Sequence, residues 1–538
     1  MSEPVLSIEN LTLSLPRSAD RPDAIRDLSL RIDAGETLCV VGESGSGKSL
    51  TALATIGLLP PAVRPTGGSV RLAGRDLLTL PERAMRNVRG REVSMIFQEP
   101  MTSLNPVMRI GDQISEAFEA HGAFDRQGRA DRTLELVAEV GLPDPAAIVR
   151  AYPHELSGGQ RQRVMIAMAL ALEPKLIIAD EPTTALDVTT QAQILKLIDA
   201  LRKKHGTAVL FITHDFGVVA EIADRVAVLQ NGILVEQGTR EAVLRDPQHD
   251  YTKRLLAAVP SLRPPSPKDL AGQPRAFAVE GLTKVYSSRG LFRAGREVRA
   301  ADDVSFTLQR GETLGLVGES GSGKSTVGRC VLRLIEPDAG TIHIGELSIR
   351  EMSQAQFRPV RKRIQMVFQD PFASLNPRRK VGRIVAEGPI AHGVPKRQAL
   401  IEAARLLDLV GLHPSAAERY PHEFSGGQRQ RIGIARALAL QPEVLVADEP
   451  VSALDVSVQA QILALLKELQ ARLGLAILFV THDLRVAAQM CDRIAVMQKG
   501  RIVELGSTAE LFRAPQHAYT KALLAAVPGG NVGERTAA

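Results

Sequence analysis

The chain has 538 residues, a formal net charge of +6 and a hydrophobic content of 44%. Its cysteines, Cys39, Cys330 and Cys491, form no C-x-x-C pair, so we expect neither a zinc site nor a disulfide framework and favour a reducing compartment. No apolar run approaches about 18 residues, and the N terminus lacks a basic segment followed by an apolar one, so we predict neither a membrane span nor a secretory signal.

The positive charge is spread over short basic clusters at residues 202–204, 361–363 and 378–380. Solvated surface is the ordinary interpretation of such clusters. Attraction to an anionic membrane face or to nucleic acid is the alternative. Charge by itself therefore leaves the partner open.

The first half of the chain alternates strand and helix patterns. Residues 37–41, 176–179 and 208–212 are uninterrupted apolar runs, which favour central parallel strands buried on both faces. A helical pattern extends from Leu50 to the proline pair at 60–61. Residues from about 100 to 156 show helical patterns without a clear strand, which indicates a helical insert.

The run at 37–41 is followed by GESGSGKS, which matches G-x-x-x-x-G-K-[ST], the pattern of a phosphate-binding P-loop. Its glycines let backbone N–H groups point at phosphate oxygens where a helix begins. Lys48 is predicted to reach the β- and γ-phosphates, and Ser49 to ligate Mg²⁺. The predicted nucleotide-binding residues of this loop are Gly42, Ser44, Gly45, Gly47, Lys48 and Ser49.

Residues 157–160 are Ser157, Gly158, Gly159 and Gln160, and an apolar helical pattern follows them. Hydroxyl and backbone donors gathered where a helix begins predict a second anion site. A simple helix cap is the alternative for the same pattern.

An acidic pair, Asp180 and Glu181, ends the apolar run that begins at residue 176. Asp180 suits a role at Mg²⁺, directly or through water, and Glu181 could take a proton from an attacking water. The alternative is a pair that merely caps the next helix. His214 follows the run at 208–212, so Lys48, Asp180 and His214 all come just after strand ends, where open α/β sheets bind ligands.

The second half repeats these motifs in the same order. The repeat distance is 276 residues from Lys48 to Lys324 and 268 residues from Ser157 to Ser425, so a whole domain is duplicated. The period is too long for a solenoid. The repeated site residues are Gly318, Ser320, Gly321, Gly323, Lys324, Ser325, Ser425, Gly426, Gly427, Gln428, Asp448, Glu449 and His482.

Five prolines fall between residues 260 and 274, which predicts a stiff, extended linker. We therefore assign residues 1–260 to a first domain, 261–275 to the linker and 276–538 to a second domain. Each domain is long enough to bury a large core.

The ordered set of P-loop, Gln98, Ser-Gly-Gly-Gln, acidic pair and His214 resembles the nucleotide-binding domains of ABC ATPases, across nearly the whole of both halves. The resemblance implies an α/β fold: two tandem P-loop NTPase domains, each a RecA-like core with an antiparallel β subdomain and a helical subdomain. It also implies ATP and Mg²⁺ as cofactors and ATP hydrolysis as the reaction.

The resemblance also implies residue roles. Gln98 and Gln369 match the Q-loop glutamine near Mg²⁺ and the attacking water, and His214 and His482 match the switch histidine at the γ-phosphate. The metal residues implied are Ser49, Gln98, Asp180, Ser325, Gln369 and Asp448, and the catalytic ones are Glu181, Glu449, His214, His482, Gln98 and Gln369.

In this family two such domains pair head to tail. The pairing would place one ATP between Lys48 and residues 425–427, and the other between Lys324 and residues 157–159. Residues 185–187 and 453–455 match the D-loop, which crosses that interface in the family. The resemblance therefore implies intramolecular pairing of the two halves.

Two positions depart from the family pattern. An aromatic residue usually stacks on adenine upstream of the P-loop; Tyr286 takes that place in the second half, but alignment puts Leu15 there in the first. Leu50 follows Ser49, whereas Thr326 supplies a nucleotide-binding hydroxyl after Ser325. Neither change touches the hydrolytic groups, so both sites are expected to turn over.

Residues 246–260 and 514–528 share the pattern P-x-H-x-Y-T-x-x-L-L-x-A-x-P, which is similar to the tails of dipeptide/oligopeptide importer ATPases. The Ser-Leu-Asn-Pro segments at 103–106 and 374–377 resemble that subfamily too. Fused pairs occur among its microcin C-type peptide importers and its glutathione importers, and the layout slightly favours the former. An amphipathic C-terminal helix is the plain alternative for the tail.

The resemblance implies two integral-membrane permease subunits as partners and an extracytoplasmic solute-binding protein that acts through them. It implies a peripheral position on the cytoplasmic face of the bacterial inner membrane and no nucleic acid partner. Tandem ABC proteins of DNA repair carry zinc-binding cysteine clusters, and those of translation carry a long charged linker, neither of which occurs here. Action on DNA or the ribosome is therefore the less favoured alternative. The sequence does not identify the imported solute.

Overall fold

The chain forms two units, Met1–Val259 with Val527–Ala538, and Pro260–Ala526. The structure, a computed structural model, describes residues 3–17, 19, 21–99, 103–184, 186–290, 293–452 and 454–529, with the backbone alone for 288–290 and 293–296. Among these residues, no helix combines the length and the apolar character needed to cross a bilayer.

The first unit contains two sheets and a set of helices. Its strands are β1 (Leu6–Ser14), β2 (Asp23–Ile32), β3 (Thr37–Val41), β4 (Arg64–Leu72), β5 (Arg75–Asp76), β6 (Val93–Ile96), β7 (Leu176–Asp180), β8 (Ala208–Ile212), β9 (Arg225–Gln230) and β10 (Ile233–Thr239). Its helices are α1 (Lys48–Thr55), α2 (Glu82–Val88), α3 (Ile110–Ala120), α4 (Arg126–Glu139), α5 (Pro145–Ile148), α6 (Gly158–Leu170), α7 (Val188–His205), α8 (Phe216–Ile222), α9 (Arg240–Arg245) and α10 (Asp250–Ala258).

The larger sheet has the strand order β10-β9-β3-β8-β7-β6. Its strands β9, β3, β8, β7 and β6 run parallel, and β10 is an antiparallel edge strand. Every residue of β3, β7 and β8 is buried, as uninterrupted apolar runs require when both faces of a sheet are covered. The parallel core predicted from these runs is confirmed.

The smaller sheet is antiparallel, with the order β2-β1-β4-β5. Leu6, Ile8, Leu11 and Leu13 of β1 point into one core, and a register shift after Ile8, where Asn10 has a φ of 48°, keeps the later pair on the inner face. This sheet packs against one face of the larger sheet. Helices α3 to α6 pack in the core on the opposite face, and α3 to α5 correspond to the helical insert that the sequence predicts from about residue 100 to 156.

The second unit repeats this architecture. Its strands are β11 (Arg275–Gly290), β12 (Arg293–Gln309), β13 (Thr313–Val317), β14 (Ala339–Ile344), β15 (Leu347–Ser348), β16 (Ile364–Val367), β17 (Val444–Asp448), β18 (Ala476–Thr481), β19 (Arg493–Gln498) and β20 (Arg501–Ser507). Its helices are α11 (Lys324–Val331), α12 (Gln354–Val360), α13 (Val381–Ala391), α14 (Lys396–Leu409), α15 (Gly426–Leu438), α16 (Val456–Leu473), α17 (Leu484–Met490), α18 (Thr508–Arg513) and α19 (Ala518–Ala525). The sheet orders are β12-β11-β14-β15 and β16-β17-β18-β13-β19-β20.

Two details of the sequence prediction change. The first helix ends at Thr55, well before the prolines at 60–61, because Gly57 takes a left-handed φ of 64° and ends the helical run. The proline-rich stretch is not free: the Lys268 ammonium donates to Gln470 Oε1 at 2.7 Å and lies 3.2 Å from an Asp492 carboxylate oxygen. This stretch is therefore attached to the second unit.

Candidate nucleotide site

The first P-loop connects the carboxyl end of β3 to the start of α1. Gly42 has a φ of 152°, and a side-chain carbon there would lie 2.2 Å from the carbonyl oxygen of Leu229, so glycine is required. Gly47 caps α1 with a φ of 101°. Gly45 and Ser44 lie between them at the exposed turn. The loop therefore passes close to the sheet and presents its backbone where a helix begins.

Lys48 is buried, with 6% of its surface exposed, and its ammonium folds back over the loop. Its Nζ donates to the carbonyl oxygens of Gly42 and Glu43 at 2.7 and 2.9 Å. A buried ammonium needs such partners, since removing it from water without them is costly. These carbonyls hold the side chain at the position from which it would reach a phosphate.

Ser49 and Asp180 form the oxygen-bearing part of the site. The Ser49 hydroxyl donates to Asp180 Oδ1 at 3.2 Å, which brings α1 and the end of β7 together. Burial raises the pKa of Asp180 above its usual range, against the opposing effect of the Ser49 hydrogen bond. A nearby cation would offset that burial.

Glu181 is the centre of a polar cluster. Its carboxylate accepts from Gln98 Nε2 at 2.8 Å and from the Thr184 hydroxyl at 3.1 Å, and its other oxygen lies 3.0 Å from His214 Nδ1. Burial alone would raise the pKa of Glu181, but the hydrogen bond and charge of His214, with Lys48, lower it overall. The group is therefore a carboxylate at neutral pH.

The backbone of Glu181 is strained. Its φ is 46°, a left-handed conformation that a residue with a side chain rarely adopts. Glu449 in the second unit has the same conformation, with a φ of 44°. Strain of this kind costs on the order of 1–3 kcal/mol and clusters at functional sites.

Strand order explains why these residues meet. Gln98 follows β6, Asp180 and Glu181 end β7, His214 follows β8, and the P-loop follows β3. These four strands are neighbours in the order β3-β8-β7-β6 and run parallel, so their carboxyl ends share one edge. Gln98, the acidic pair, His214 and the P-loop are thus brought together at the edge where open α/β sheets bind ligands.

The second unit reproduces the cluster. Lys324 donates to the carbonyls of Gly318 and Glu319, both at 2.7 Å, and Ser325 donates to Asp448 Oδ1 at 3.1 Å. Ser320 and Gly321 lie at its exposed turn, Gly323 caps α11, and Thr326 follows within that helix.

The carboxylate of this unit has the same glutamine and histidine partners, whereas the Ser452 hydroxyl donates to the backbone carbonyl of Glu449 at 3.2 Å. Glu449 accepts from Gln369 Nε2 at 2.8 Å and lies 3.1 Å from His482 Nδ1. Burial would lower the pKa of His482, but the hydrogen bond to Glu449 and the charges of Glu449 and Asp483 raise it overall. Glu449 has a lowered pKa, in which burial is outweighed by the same hydrogen bond.

The Ser-Gly-Gly-Gln segments begin other helices. The Ser157 hydroxyl caps α6 by accepting from the Gln160 N–H at 3.3 Å, and the Gln160 side chain accepts from the Ser157 N–H at 2.9 Å. Ser425 and Gln428 make the same reciprocal pair at the start of α15. Gly158, Gly159, Gly426 and Gly427 form the first turns of these helices. The helix-cap interpretation therefore holds, and the anion-binding role stays a prediction.

The two adenine positions differ. Tyr286 lies on β11 with 43% of its surface exposed, and the Lys284 ammonium lies 5.8 Å from its ring centre. Leu15 lies just beyond β1 and packs against the core beneath the antiparallel sheet.

Of the D-loop residues, Ala185 and Ala453 lie outside the described residues, and Asp187 caps α7 by accepting from the Thr190 N–H at 2.9 Å.

Two groups of residues at the site were not predicted. Thr184 binds Glu181 through its hydroxyl, and its place three residues after the glutamate could have indicated this contact. Tyr251 and Tyr519 reach the P-loops from the distant C-terminal tails, where their hydroxyl oxygens accept from the N–H groups of Glu43 and Glu319 at 3.1 Å. Only their recurrence in both tails was a signal.

The oxygen donors fit Mg²⁺ and a nucleotide. Mg²⁺ prefers one or two carboxylates with hydroxyl, water and phosphate oxygens, and Ser49 with Asp180, like Ser325 with Asp448, offers such a set. The P-loop offers backbone N–H groups and a lysine to phosphate oxygens. The donors therefore match the cofactors that the sequence implies.

Comparison with protein-family models gives two matches. A model described as ABC transporter matches residues 25–184 and 301–452, together more than half of the chain. A second model, described as the C-terminal region of oligopeptide/dipeptide transporters, matches residues 235–289 and 503–537. Each model matches the chain twice.

Relatives match over nearly the full chain. The peptidoglycan transport ATP-binding protein YejF of Agrobacterium fabrum strain C58 is 50% identical over 98% of this chain and 96% of its own length. The glutathione import ATP-binding protein GsiA of Shigella dysenteriae serotype 1 is 49% identical over 97% of this chain and 89% of its own length. A solved ATP-binding cassette, MJ0796 bound to ADP and Pi, is 29% identical over 43% of this chain and 98% of its own, with a TM-score of 0.39.

Proposed function

The chain belongs to the ABC transporter family, in its oligopeptide/dipeptide transporter class, and we propose that it is the subunit whose ATP hydrolysis drives import of a peptide or of a peptide-like solute such as glutathione. Its enzymatic activity is that of an ABC transporter ATPase. The observation that carries the proposal is the presence, in one chain, of two equivalent carboxylate clusters beside P-loops and two transporter-type tails.

The residues of each cluster have separate tasks in this proposal. Glu181 and Glu449 accept the proton of the attacking water, and Gln98 and Gln369 orient that water and the carboxylate. His214 and His482 hold the glutamates and face the terminal phosphate. Lys48 and Lys324 leave their loop carbonyls to bind phosphate oxygens, and bound Mg²⁺ would stabilise the negative charge on the transferring phosphate.

The proposed metal contacts are the hydroxyls of Ser49 and Ser325 and the carboxylates of Asp180 and Asp448. Their mutual hydrogen bonds, at 3.2 and 3.1 Å, support this assignment because they place two oxygen donors together. Gln98 and Gln369 are proposed to reach the same metal from the side of the glutamates.

By family resemblance, each P-loop acts with the Ser-Gly-Gly-Gln segment of the other half. The pairing predicts that Lys48→Ala with Ser425→Ala disables one site, whereas Lys48→Ala with Ser157→Ala disables both. The first double variant should therefore retain more ATPase activity than the second. Equal activities would contradict the crossed pairing.

The proposed partners are two permease subunits, with an extracytoplasmic solute-binding protein acting through them, at the cytoplasmic face of a bacterial inner membrane. The match to the oligopeptide/dipeptide transporter tail in each half supports this assignment over action on DNA or the ribosome. The names of the relatives give different solutes, peptidoglycan for one and glutathione for the other, so we expect the solute to be a peptide or a peptide-like compound.

The proposal is tested by reconstituting the chain with the two permeases encoded beside its gene, in vesicles that contain the matching solute-binding protein. The chain alone should hydrolyse ATP slowly, and permeases with loaded binding protein should accelerate it. Glutathione or a short peptide carried by the binding protein should then accumulate across the vesicle membrane in an ATP-dependent manner. A chain that carries both Glu181→Gln and Glu449→Gln is the control and should support no accumulation.

Stimulation of ATP hydrolysis by DNA or ribosomes, without any effect of permeases, would contradict the transport function. If permeases stimulate ATP hydrolysis but none of the tested solutes accumulates, the transport function is retained and these solutes are rejected.

A further inference from the structure

The C-terminal tail of each half touches the P-loop of that half. Helix α10 places the Tyr251 hydroxyl against Glu43, the residue that follows the first glycine of the P-loop. The Tyr251 hydroxyl oxygen accepts from the Glu43 N–H at 3.1 Å and lies 3.3 Å from a Glu43 carboxylate oxygen, to which it can donate. Tyr251 is buried, with 4% of its surface exposed. The tail is therefore in direct contact with the nucleotide loop.

The Glu43 peptide group is held on both sides. Its N–H donates to Tyr251, and its carbonyl oxygen accepts from the Lys48 ammonium at 2.9 Å. The second unit repeats this arrangement: the Glu319 N–H donates to Tyr519 at 3.1 Å, and its carbonyl accepts from Lys324 at 2.7 Å. Both halves of the chain thus have the same three-residue contact.

The tail is itself fixed to the core sheet. Glu236 on β10 accepts from the backbone N–H groups of Gln248 and His249 at 2.7 and 3.2 Å. His249 Nδ1 then accepts from the Tyr251 N–H at 3.2 Å and caps α10. Two residues of the tail pattern therefore have defined roles: the histidine caps the helix and the tyrosine contacts the loop.

The second tail has the same attachment. Glu504 on β20 accepts from the N–H groups of Gln516 and His517 at 2.8 and 3.1 Å, and His517 Nδ1 accepts from the Tyr519 N–H at 3.1 Å. A continuous series of hydrogen bonds therefore connects the edge strand to the P-loop in both halves.

We propose that Tyr251 and Tyr519 are positioning residues of the nucleotide sites, through which each C-terminal tail holds its own P-loop in the conformation that receives ATP. This inference rests on the proposed nucleotide sites. Without the hydroxyl, the Glu43 N–H loses this hydrogen bond, and the tail no longer holds that side of the loop. Nucleotide binding must then supply the ordering that the tail now provides.

Removal of the tyrosine hydroxyl should change the affinity for nucleotide rather than the rate of the chemical step. The hydroxyl contacts the loop backbone and not the glutamate that activates water. Tyr251→Phe should weaken nucleotide binding at the first site about fivefold, the scale of one lost hydrogen bond. Turnover at saturating ATP should change much less, so KM rises while kcat is nearly kept.

The test uses the full chain and a fluorescent ATP analogue with Mg²⁺. In a Lys324→Ala background, where the proposed site of the second half is disabled, Tyr251→Phe is expected to raise the Kd of the remaining site about fivefold. Tyr519→Phe is the matched control in that background and should leave this Kd unchanged. In a Lys48→Ala background the two tyrosine variants should exchange roles.

Glu236→Gln provides a second measurement, since it weakens the attachment of the tail without touching the loop. It should also raise the Kd of the first site. Combined with Tyr251→Phe, it should add little further, because both changes break the same connection.

The outcomes separate the inference from the assignment of the sites. If each lysine variant removes one binding site but neither tyrosine variant changes a Kd, the tyrosines only pack the tails and the inference is wrong. A Kd increase of equal size from both tyrosine variants in one background would also overturn it, as a general loss of packing. If the lysine variants remove no site, both the inference and the proposed sites are wrong.

Discussion

The two halves have the same polar geometry but differ in their packing. The distance from glutamine to glutamate is 2.8 Å in both, the histidine distances are 3.0 and 3.1 Å, and the serine–aspartate distances are 3.2 and 3.1 Å. The surroundings have diverged: Leu15 in the first half corresponds to Tyr286 in the second, and Cys39 of β3 corresponds to Gly315 of β13.

The contrast between the matched hydrogen-bond distances and the changed apolar residues indicates which parts of a duplicated domain can vary independently. Hydrogen bonds around a buried carboxylate depend on distance and angle, so a change in one member leaves a costly unpaired group. Apolar positions can change in compensating pairs as long as the volume is filled. The comparison of the halves therefore predicts equal chemistry with unequal binding and packing.

The largest expected effect would test the equality of the chemistry. Glu181→Gln or Glu449→Gln alone should lower ATPase activity by about half or more, and the double change by about 10²-fold or more, the scale of a positioned base. ATP should still bind, because the P-loops are intact. Steady-state phosphate release checks the rates and equilibrium dialysis checks the binding. Unchanged turnover after Glu181→Gln would show that the first site is silent and break the symmetry.

A second prediction concerns the exchange of volume in the core. A side-chain carbon on Gly315 would lie 2.7 Å from Cys491 Sγ, whereas the first half has Cys39 in β3 and the smaller Ala223 after α8. Gly315→Ala should therefore lower the free energy of unfolding by about 1–3 kcal/mol through overpacking. Cys491→Ala added to it should restore most of the loss, since it removes the crowding sulfur.

Urea unfolding of the four members of this cycle, followed by circular dichroism, measures the coupling. Gly433→Ala on α15 is the matched control: nothing lies within 4 Å of the added carbon, so it should be neutral or gain up to about 1 kcal/mol. Additive losses from Gly315→Ala and Cys491→Ala would refute the compensating pair.

The adenine positions give a third prediction. A base stacked on an aromatic ring gains about 1–3 kcal/mol, so the site of Lys48, which has Leu15 packed in the core, should bind nucleotide at least about fivefold more weakly than the site of Lys324. Tyr286→Ala should weaken the second site, and Leu15→Tyr should tighten the first. Binding is measured with a fluorescent ATP analogue in the lysine-to-alanine backgrounds.

Tyr286→Phe keeps the ring and is the control that should retain affinity. If neither Tyr286→Ala nor Leu15→Tyr changes a Kd, another residue contacts the adenine. Residues 16 and 17, next to Leu15, are the first alternatives in that case.

The smallest effect concerns pH. His482 has a pKa raised above its ordinary 6.5 and Glu449 a pKa lowered below its ordinary 4.5. The stabilisation from the histidine is complete below pH 6.5 and is lost as pH rises through its folded pKa, while that from the glutamate is complete above pH 4.5 and is lost on acidification. The pair therefore stabilises the second half most between those values.

His482→Gln should destabilise the chain most near pH 5.5 and progressively less as the pH rises above 6.5, by less than about 1 kcal/mol, the scale of partly exposed ion pairs. Melting temperatures of the two proteins across this range test the sign. His214→Gln in parallel asks whether the first half behaves alike. A difference that grows with rising pH would contradict the assignment.

Much of the site was predictable because its motifs are local. The P-loop, the acidic pair and the histidine are short segments whose residue types carry the chemistry, and their repetition in one chain made the fold class and the family resemblance specific. Both are confirmed by the structure and the family matches. The roles of the site residues, and the domain boundaries at 260 and 276, stay predictions.

Tertiary structure decided the contacts between distant segments. Gln98 meets Glu181 because β6 and β7 are parallel neighbours, and no sequence pattern gives that strand order by itself. Tyr251 reaches Glu43 across 208 residues of chain because the antiparallel edge strand β10 anchors the tail beside the P-loop. The left-handed backbone of Glu181, at a φ of 46°, is likewise imposed by its surroundings. Sequence thus determined the chemical groups, since side-chain chemistry is carried by residue type, and the fold determined their partners, since hydrogen bonds depend on distances that only packing sets.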